Sequence, residues 1–317
     1  MLLEIVAAIA ITLAVAAIVN LILAKKAERD NPPIGRFIEI DGVRLHYLDH
    51  GAGQPVLLFH GNGSMIQDFE SSGLIGLLAP KYRVICFDRP GFGHSTRPRG
   101  RIWTPEAQAD LIYRALQEVG IHTVTVFGHS WGASVAFAFA VRHSESVTGL
   151  VLASGYYYPT FRVDVFLLSG PAVPIIGDVI GYTVAPIASR LLWPFLLRKL
   201  FGPAEVPAKF KGFPKQMAFR PSQLRASAEE TVLMIPGAFS LRMEYRKLKT
   251  PTIILAGEQD RLVDRQQSAR LHEDVKQSEF VHVSNTGHMV HQTATRKVMD
   301  AIDESARGRP VRFSLGR

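Results

Sequence analysis

An α/β fold with a mostly parallel sheet, a helical insertion and a membrane-spanning N-terminal helix is predicted by three observations. Short apolar runs alternate with helical stretches on both sides of residues 155–250. Those residues themselves carry helical apolar runs, frequent Pro and Gly and no clear strand. Residues 2–24 form a single apolar run. Strands and helices alternating at this spacing give right-handed crossovers and a sheet covered on both faces.

The elements follow in chain order. No charge occurs from Ile5 to Ala24; at about 1.5 Å per residue this stretch spans roughly 30 Å, the thickness of a bilayer's hydrocarbon core. The only charge before it is Glu4, and Lys25, Lys26 and Arg29 come after it. That is the reverse of a cleaved signal peptide, so residues 1–30 read as an uncleaved anchor and linker. The flanking cations place the following domain in the cytoplasm. "RFIEIDGVRLHYLDHG" reads as a hairpin turning at Asp41-Gly42. "PVLLFHG" and "YRVICFD" read as strands buried on both faces, separated by a helix over 65–79. Pro105 opens a helix to about Val119 with Thr104 as its N-cap. "TVTVFG", a helix from near Ser130 and "VTGLVLAS" precede the insertion. "PTIILAGEQD", a helix over 264–273, "EFVHVSNTGH" and a closing helix over 289–305 follow it. The core is thus 36–154 and 251–305, the insertion 155–250, and 306–317 a basic tail.

Composition narrows the class. With 47% apolar and 20% charged residues the chain buries a core rather than solvating itself. Cys86 has no partner for an intramolecular disulfide and reads as a small buried strand residue. The net charge of +8 is concentrated, since residues 156–250 hold 13 basic against 6 acidic side chains. Here the cations are interleaved with "VFLLSG", "LLWPFLL" and "FKGF", which fits a membrane surface better than nucleic acid, with a solvated face on helices the equal alternative.

The chemistry centres on "VTVFGHSWGASVAFAFA" (124–140), where Gly128-His129-Ser130-Trp131-Gly132 lies between a buried strand and a helix. That is the setting of a nucleophile elbow: the glycines permit a strained, tight turn, and the helix N-terminus offers unpaired N–H groups to negative charge. A serine hydroxyl needs a base, and the base an orienting acid, in chain order Ser, acid, His. Asp260 and His288 each follow a strand whose end faces the same sheet edge as Ser130. Their rivals have structural readings: Glu258 adjoins a strand end, Asp264 suits a helix N-terminus, His282 falls within a strand, and His291 lies on the final helix. The oxyanion donors are assigned to the backbone N–H groups of Trp131 and of Asn62 in "HGNGS", with Gly63 the alternative to Asn62. His60 braces that loop. "DRPGFGHS" lacks the Lys-Ser/Thr ending and spacing of nucleotide-binding loops, and no cofactor or metal is called for.

In order, "HGNG", "DRPGFGHS", "GHSWGA", "GEQDRLV" and "GHMVHQ" resemble the capped serine-hydrolase branch of the α/β-hydrolase superfamily over residues 36–305. The resemblance implies an eight-stranded sheet, a helical cap at 155–250, and Ser130, His288 and Asp260 as a catalytic triad. Dehalogenases and epoxide hydrolases of the family place Asp where this chain has Ser130, and the basic cap lacks the carboxylates expected of an iminopeptidase. What remains is an ester or thioester of a hydrophobic acyl substrate. C–C bond cleavage or perhydrolase-like chemistry, and a non-catalytic binding role, stand behind it. Tyr156-Tyr157-Tyr158 either supplies rings and hydroxyls at the pocket entrance or packs as ordinary cap core.

Overall fold

The eight strands are laid down in the order the apolar runs dictate. In the computed structural model, which describes residues 1–308 apart from the side chains of Asp164, Phe166 and Leu167, they are β1 (Arg36–Ile40), β2 (Val43–His50), β3 (Gln54–Phe59), β4 (Tyr82–Phe87), β5 (Val124–His129), β6 (Val147–Ala153), β7 (Thr252–Gly257) and β8 (Ser278–Val283). They form one sheet in the order β1-β2-β4-β3-β5-β6-β7-β8. β2 is antiparallel to both β1 and β4, and every other pairing is parallel. The β1–β2 turn places Asp41 and Gly42 at φ 50° and 73°, the doubly left-handed geometry of a two-residue hairpin.

Two apolar cores, one on each face, hold the sheet. Phe59, Val126, Leu152 and Ile254 belong to one; Leu58, Phe127, Val151 and Leu255 belong to the other. The alternation arises because neighbouring strand residues point to opposite faces, and strands covered on both sides read as unbroken apolar runs. Cys86 lies buried in β4. The Thr104 hydroxyl accepts the Ala107 N–H at 3.2 Å and caps the helix Pro105–Glu118.

Three features depart from the sequence expectation, and a fourth closes a reading it left open. The helix expected over 65–79 is two, Ile66–Ser72 and Leu74–Leu78, broken at Gly73, whose φ of 79° ends the first. The closing helix also divides, into Val290–Thr293 and Thr295–Ala306, so His291 sits on the short first piece. The N-terminal helix runs unbroken from Leu2 to Asp30, leaving no linker within it. Its last turns dock on the body: Ala27 is buried against Met65, Phe201 and Met289, and Glu28 pairs with Arg220 at 2.8 Å. By length and composition this helix is apolar enough to cross a membrane. Finally, the three tyrosines are core. Tyr157 and Tyr158 are buried edge-on against Tyr245, and Tyr156 packs on Ala238 and Val263. Gln267 fixes the run by accepting the N–H groups of Tyr157 and Tyr158 and donating to Tyr158 O. Of the basic tail placed at 306–317, residues 309 onward lie outside the described residues.

Candidate active site

Because β3, β5, β6, β7 and β8 are parallel, the turns after them share one sheet edge, and that edge gathers the candidate residues. Ser130 follows β5 directly, with φ 55° and ψ −121°. For a residue with a side chain such a backbone costs about 1–3 kcal/mol and persists only where its surroundings enforce it. The Ser130 N–H is tied to Ala153 O at 2.8 Å, and Ser130 O accepts the Ala133 N–H at 3.0 Å. Both flanking glycines are sterically required. A Cβ on Gly128 would strike Gly132 O, and one on Gly132 would strike the carbonyls of Phe59 and His60.

Asp260 follows β7 and His288 follows β8. The Nδ1–H of His288 donates to Asp260 Oδ2 at 2.7 Å, with the two side chains 2% and 3% exposed. The other carboxylate oxygen, Oδ1, accepts the N–H groups of Leu262 and Val263 at 2.8 and 2.9 Å. The carboxylate is thus fixed from both sides, and Nε2 of His288 is the nitrogen left to exchange a proton. The rivals lie elsewhere. His282 is exposed within β8, and Asp264 accepts the Gln266 N–H at the start of the helix Gln266–Asp274.

The loop after β3 lies against the elbow, since a Cβ on Gly61 would come within 3.2 Å of Ser130 Cβ. Trp131 is the first residue of the helix Trp131–Arg142, so its N–H has no carbonyl one turn earlier within that helix. Asn62 turns its side chain to the cap, donating to Ser227 O and Thr231 Oγ1 at 3.1 and 3.2 Å. His60 braces this loop: Nδ1–H donates to Gly61 O, and Nε2 accepts the Arg89 N–H. Burial, and then the Arg89 charge, push the imidazole down to about 3, so it stays neutral.

Two networks were not visible in the sequence. The first is built on Arg89, fully buried, which donates to His60 O, Gly61 O and Gln108 and pairs with Glu230 of the cap helix Pro221–Leu241. The signal available was an adjacent acid pair, Glu229-Glu230, in an otherwise basic insertion; Glu229 pairs with Arg97. The second lies behind the elbow. Nε2–H of His129 donates to His288 O at 2.9 Å, and Asp68 faces His291 at 3.0 Å. Among the described residues Asp68, His129 and His291 are the one group of metal-ligand type, with atoms within 4.8 Å of one another. Both Asp68 oxygens are already engaged, by Gln292 Nε2 and Ser64 Oγ at 2.8 Å, so the cluster serves as a brace for the histidine loop. Burial, and then the charges of His291 and His288, hold His129 well below the usual imidazole range. Burial opposes charge on Asp68, yet the facing His291 and the Gln292 hydrogen bond keep its carboxyl below the usual range.

A family model described as the alpha/beta hydrolase fold matches residues 54–295, and the chain belongs to that family. Over 136 residues it is 35% identical to a 2-hydroxymuconate semialdehyde hydrolase of Pseudomonas sp. (strain CF600), a match covering 42% of this chain and 48%, about half, of that relative. A thermophilic esterase from Thermogutta terrifontis superimposes with a TM-score of 0.71 at 23% identity, over 86% of this chain and 98% of that one. A membrane phospholipase A superimposes with a TM-score of 0.61 at 21% identity, over 97% of this chain and 99% of that one. The 97% share of this chain is too large to be reached without the N-terminal helix. At these identities the two structures share the fold with this chain. The family match thus fixes the fold, and the chain spans about half the length of the curated relatives it matches most strongly.

Proposed function

We propose that the chain is a membrane-anchored serine hydrolase that cleaves an ester or thioester of a hydrophobic acyl substrate through an acyl-enzyme. The observation that carries this reading is the doubly fixed Asp260–His288 pair on the same sheet edge as the strained Ser130. In the proposed reaction Ser130 Oγ attacks the acyl carbonyl while His288 Nε2 takes its proton, and Asp260 holds Nδ1–H and stabilises the imidazolium. The N–H groups of Trp131 and Asn62 receive the oxyanion. Collapse breaks the bond to the leaving group, which departs with the proton from His288. Water, deprotonated by the same nitrogen, then releases the acid and restores Ser130. No cofactor or metal enters these steps.

The N-terminal helix is read as the anchor, with Lys25, Lys26 and Arg29 on the cytoplasmic side beside the catalytic domain. A second reading, cleavage of a C–C bond in a dienoate, is favoured by the identity to the semialdehyde hydrolase. The full chain in detergent is the material for the test, because deleting residues 1–30 would strip Ala27 from its cluster and leave Arg220 without Glu28. Hydrolysis of p-nitrophenyl butyrate is expected, and Ser130→Ala should return it to the rate without enzyme. An equal rate in that variant would overturn the reading. A higher kcat/KM on a 2-hydroxy-6-oxo-dienoate than on any ester tested would install the C–C reading instead.

A further inference from the structure

We propose that the cap is itself seated in the bilayer, its helices Ile176–Tyr182 and Val184–Phe201 lying in lipid beside the N-terminal helix, so that the acyl substrate is drawn from the membrane. This rests on the reading of the N-terminal helix as a span. The geometry begins at Asn20. It lies inside the uncharged stretch, four residues before its end at Ala24, about 6 Å along the helix axis. Its neighbours along the span are open, Ile18 at 57% and Ile22 at 61%, but Asn20 is 2% exposed. Its Nδ2 donates to Tyr182 O at 2.9 Å and Thr183 O at 3.0 Å, and its Oδ1 accepts from Arg190 Nη1 at 3.1 Å.

Those two carbonyls sit at the break between the cap helices, which meet at 54°. A helix end leaves carbonyls without intrahelical partners, and an amide or carbonyl left unpaired in hydrocarbon is strongly unfavourable. Asn20 and the break therefore satisfy one another at one depth. If the span crosses the bilayer, residues 182–183 lie inside the hydrocarbon with it.

The surface leading away from this lock suits that solvent. Ile176, Val184, Leu191, Leu192 and Phe195 are 55–70% exposed, and large apolar side chains exposed together on one pair of helices mark an interaction surface more than isolated ones do. The one acid on the helix pair, Asp178, is held at both carboxylate oxygens by Arg99, at 2.6 and 2.8 Å. The exposed cation Arg198 comes only in the last turn of Val184–Phe201, as Lys25 and Lys26 come only after the span, so both helices present charge where headgroups would lie. Bilayer, rather than a second protein, is the occupant because the face is continuous with the span and pinned to it at hydrocarbon depth.

The same helix reaches the chemistry. Thr183 to Leu200 is about 25 Å of helix, and at its far end Leu200 O accepts the His288 N–H at 2.9 Å. Gly287 leaves room for this contact, since a Cβ there would strike Gly202 O and approach the carbonyls of Phe201 and Leu200. One helix thus joins the lipid-depth lock to the histidine loop.

The test uses the full chain in phosphatidylcholine vesicles. Cys86 is buried, so Leu191→Cys, Phe195→Cys and Thr123→Cys, the last exposed at the opposite sheet edge, accept nitroxide labels singly. Collision with oxygen should exceed collision with a water-soluble nickel chelate at 191 and 195 by several-fold relative to 123. Chelate-dominated collision at 191, or dipolar broadening that puts a second copy of the chain on the face, would overturn the proposal. In a second arm, a Leu191→Glu, Phe195→Glu double variant should lose at least tenfold on a long-chain phospholipid in the vesicles and stay within twofold on p-nitrophenyl butyrate. Equal rates on both substrates would also overturn it. If the unsubstituted chain cleaves neither ester, the ester reading fails, while the nitroxide arm still decides the seating.

Discussion

The sheet edge around Ser130 and the cap above it are built on opposite terms. At the edge the buried charged groups are matched within the chain: Asp260 accepts three hydrogen bonds, and Arg89 is engaged by His60, Gly61, Gln108 and Glu230. The cap helices instead leave Leu191 and Phe195 outward at 70% and 65% exposure. On the proposed reading the difference teaches that reaction chemistry is specified by contacts inside the chain, whereas the choice of substrate is specified by a surface whose partner is another molecule. Polar contacts join the two regions, among them Arg89–Glu230, Arg97–Glu229 and the Asn62 amide with Ser227 and Thr231.

That contrast can be broken most sharply at the edge. Ser130→Ala should remove ester hydrolysis almost entirely, a loss of about 10⁶-fold in kcat, with the unfolding midpoint little changed. A residual rate within tenfold would place the nucleophile elsewhere. Asp260→Asn should cost somewhat less, about 10³ to 10⁴ at most, because the amide can present N–H to His288 Nδ1 and favour the wrong tautomer. Its signature is lost kcat with little change in KM; a matching rise in KM with kcat preserved would assign Asp260 to binding.

The junction between the regions is the next place to press. Glu230→Gln leaves the Arg89 guanidinium buried without a counter-charge and should lower unfolding stability by about 3 kcal/mol. An unchanged denaturation midpoint would show that the Arg89–Glu230 pair does not hold the cap. The smallest effect concerns pH. His60 and His129 have folded-state values depressed below the unfolded value of about 6.5. Below that value the unfolded chain binds protons the folded chain refuses, so stability is full above about 6.5 and declines as pH falls towards 3. Between pH 6.5 and 5 the loss should be about 2 kcal/mol for His60, and His60→Asn should flatten that part of the slope. A profile as steep in the variant as in the parent would contradict it.

Much of the fold was legible because strand and helix periodicities leave an apolar pattern that needs no partner to read. The hairpin at Asp41-Gly42, the Thr104 cap and the eight strands follow from local chemistry. Breaks inside apolar helices were harder: Gly73 interrupts a pattern that continues on both sides, and its left-handed φ shows only in three dimensions. The tyrosine run stays open in the sequence between pocket lining and cap core because an aromatic cluster carries no mark of which way it faces; Tyr245, distant in sequence, draws it inward. Arg89, Asp68 and His129 were passed over for the same reason. Each takes its importance from partners 141 to 224 residues away: Glu230 is 141 from Arg89, Gln292 is 224 from Asp68, and His288 is 159 from His129.

The central claim is that Ser130, driven by His288, is the nucleophile of this fold. It is tested most directly by reacting the full chain with a fluorophosphonate and locating the adduct by intact mass and peptide mapping. The account predicts a single adduct on Ser130, absent in Ser130→Ala and formed at least 100-fold more slowly in His288→Gln. An adduct on any other serine, or equal labelling in the His288 variant, would contradict it.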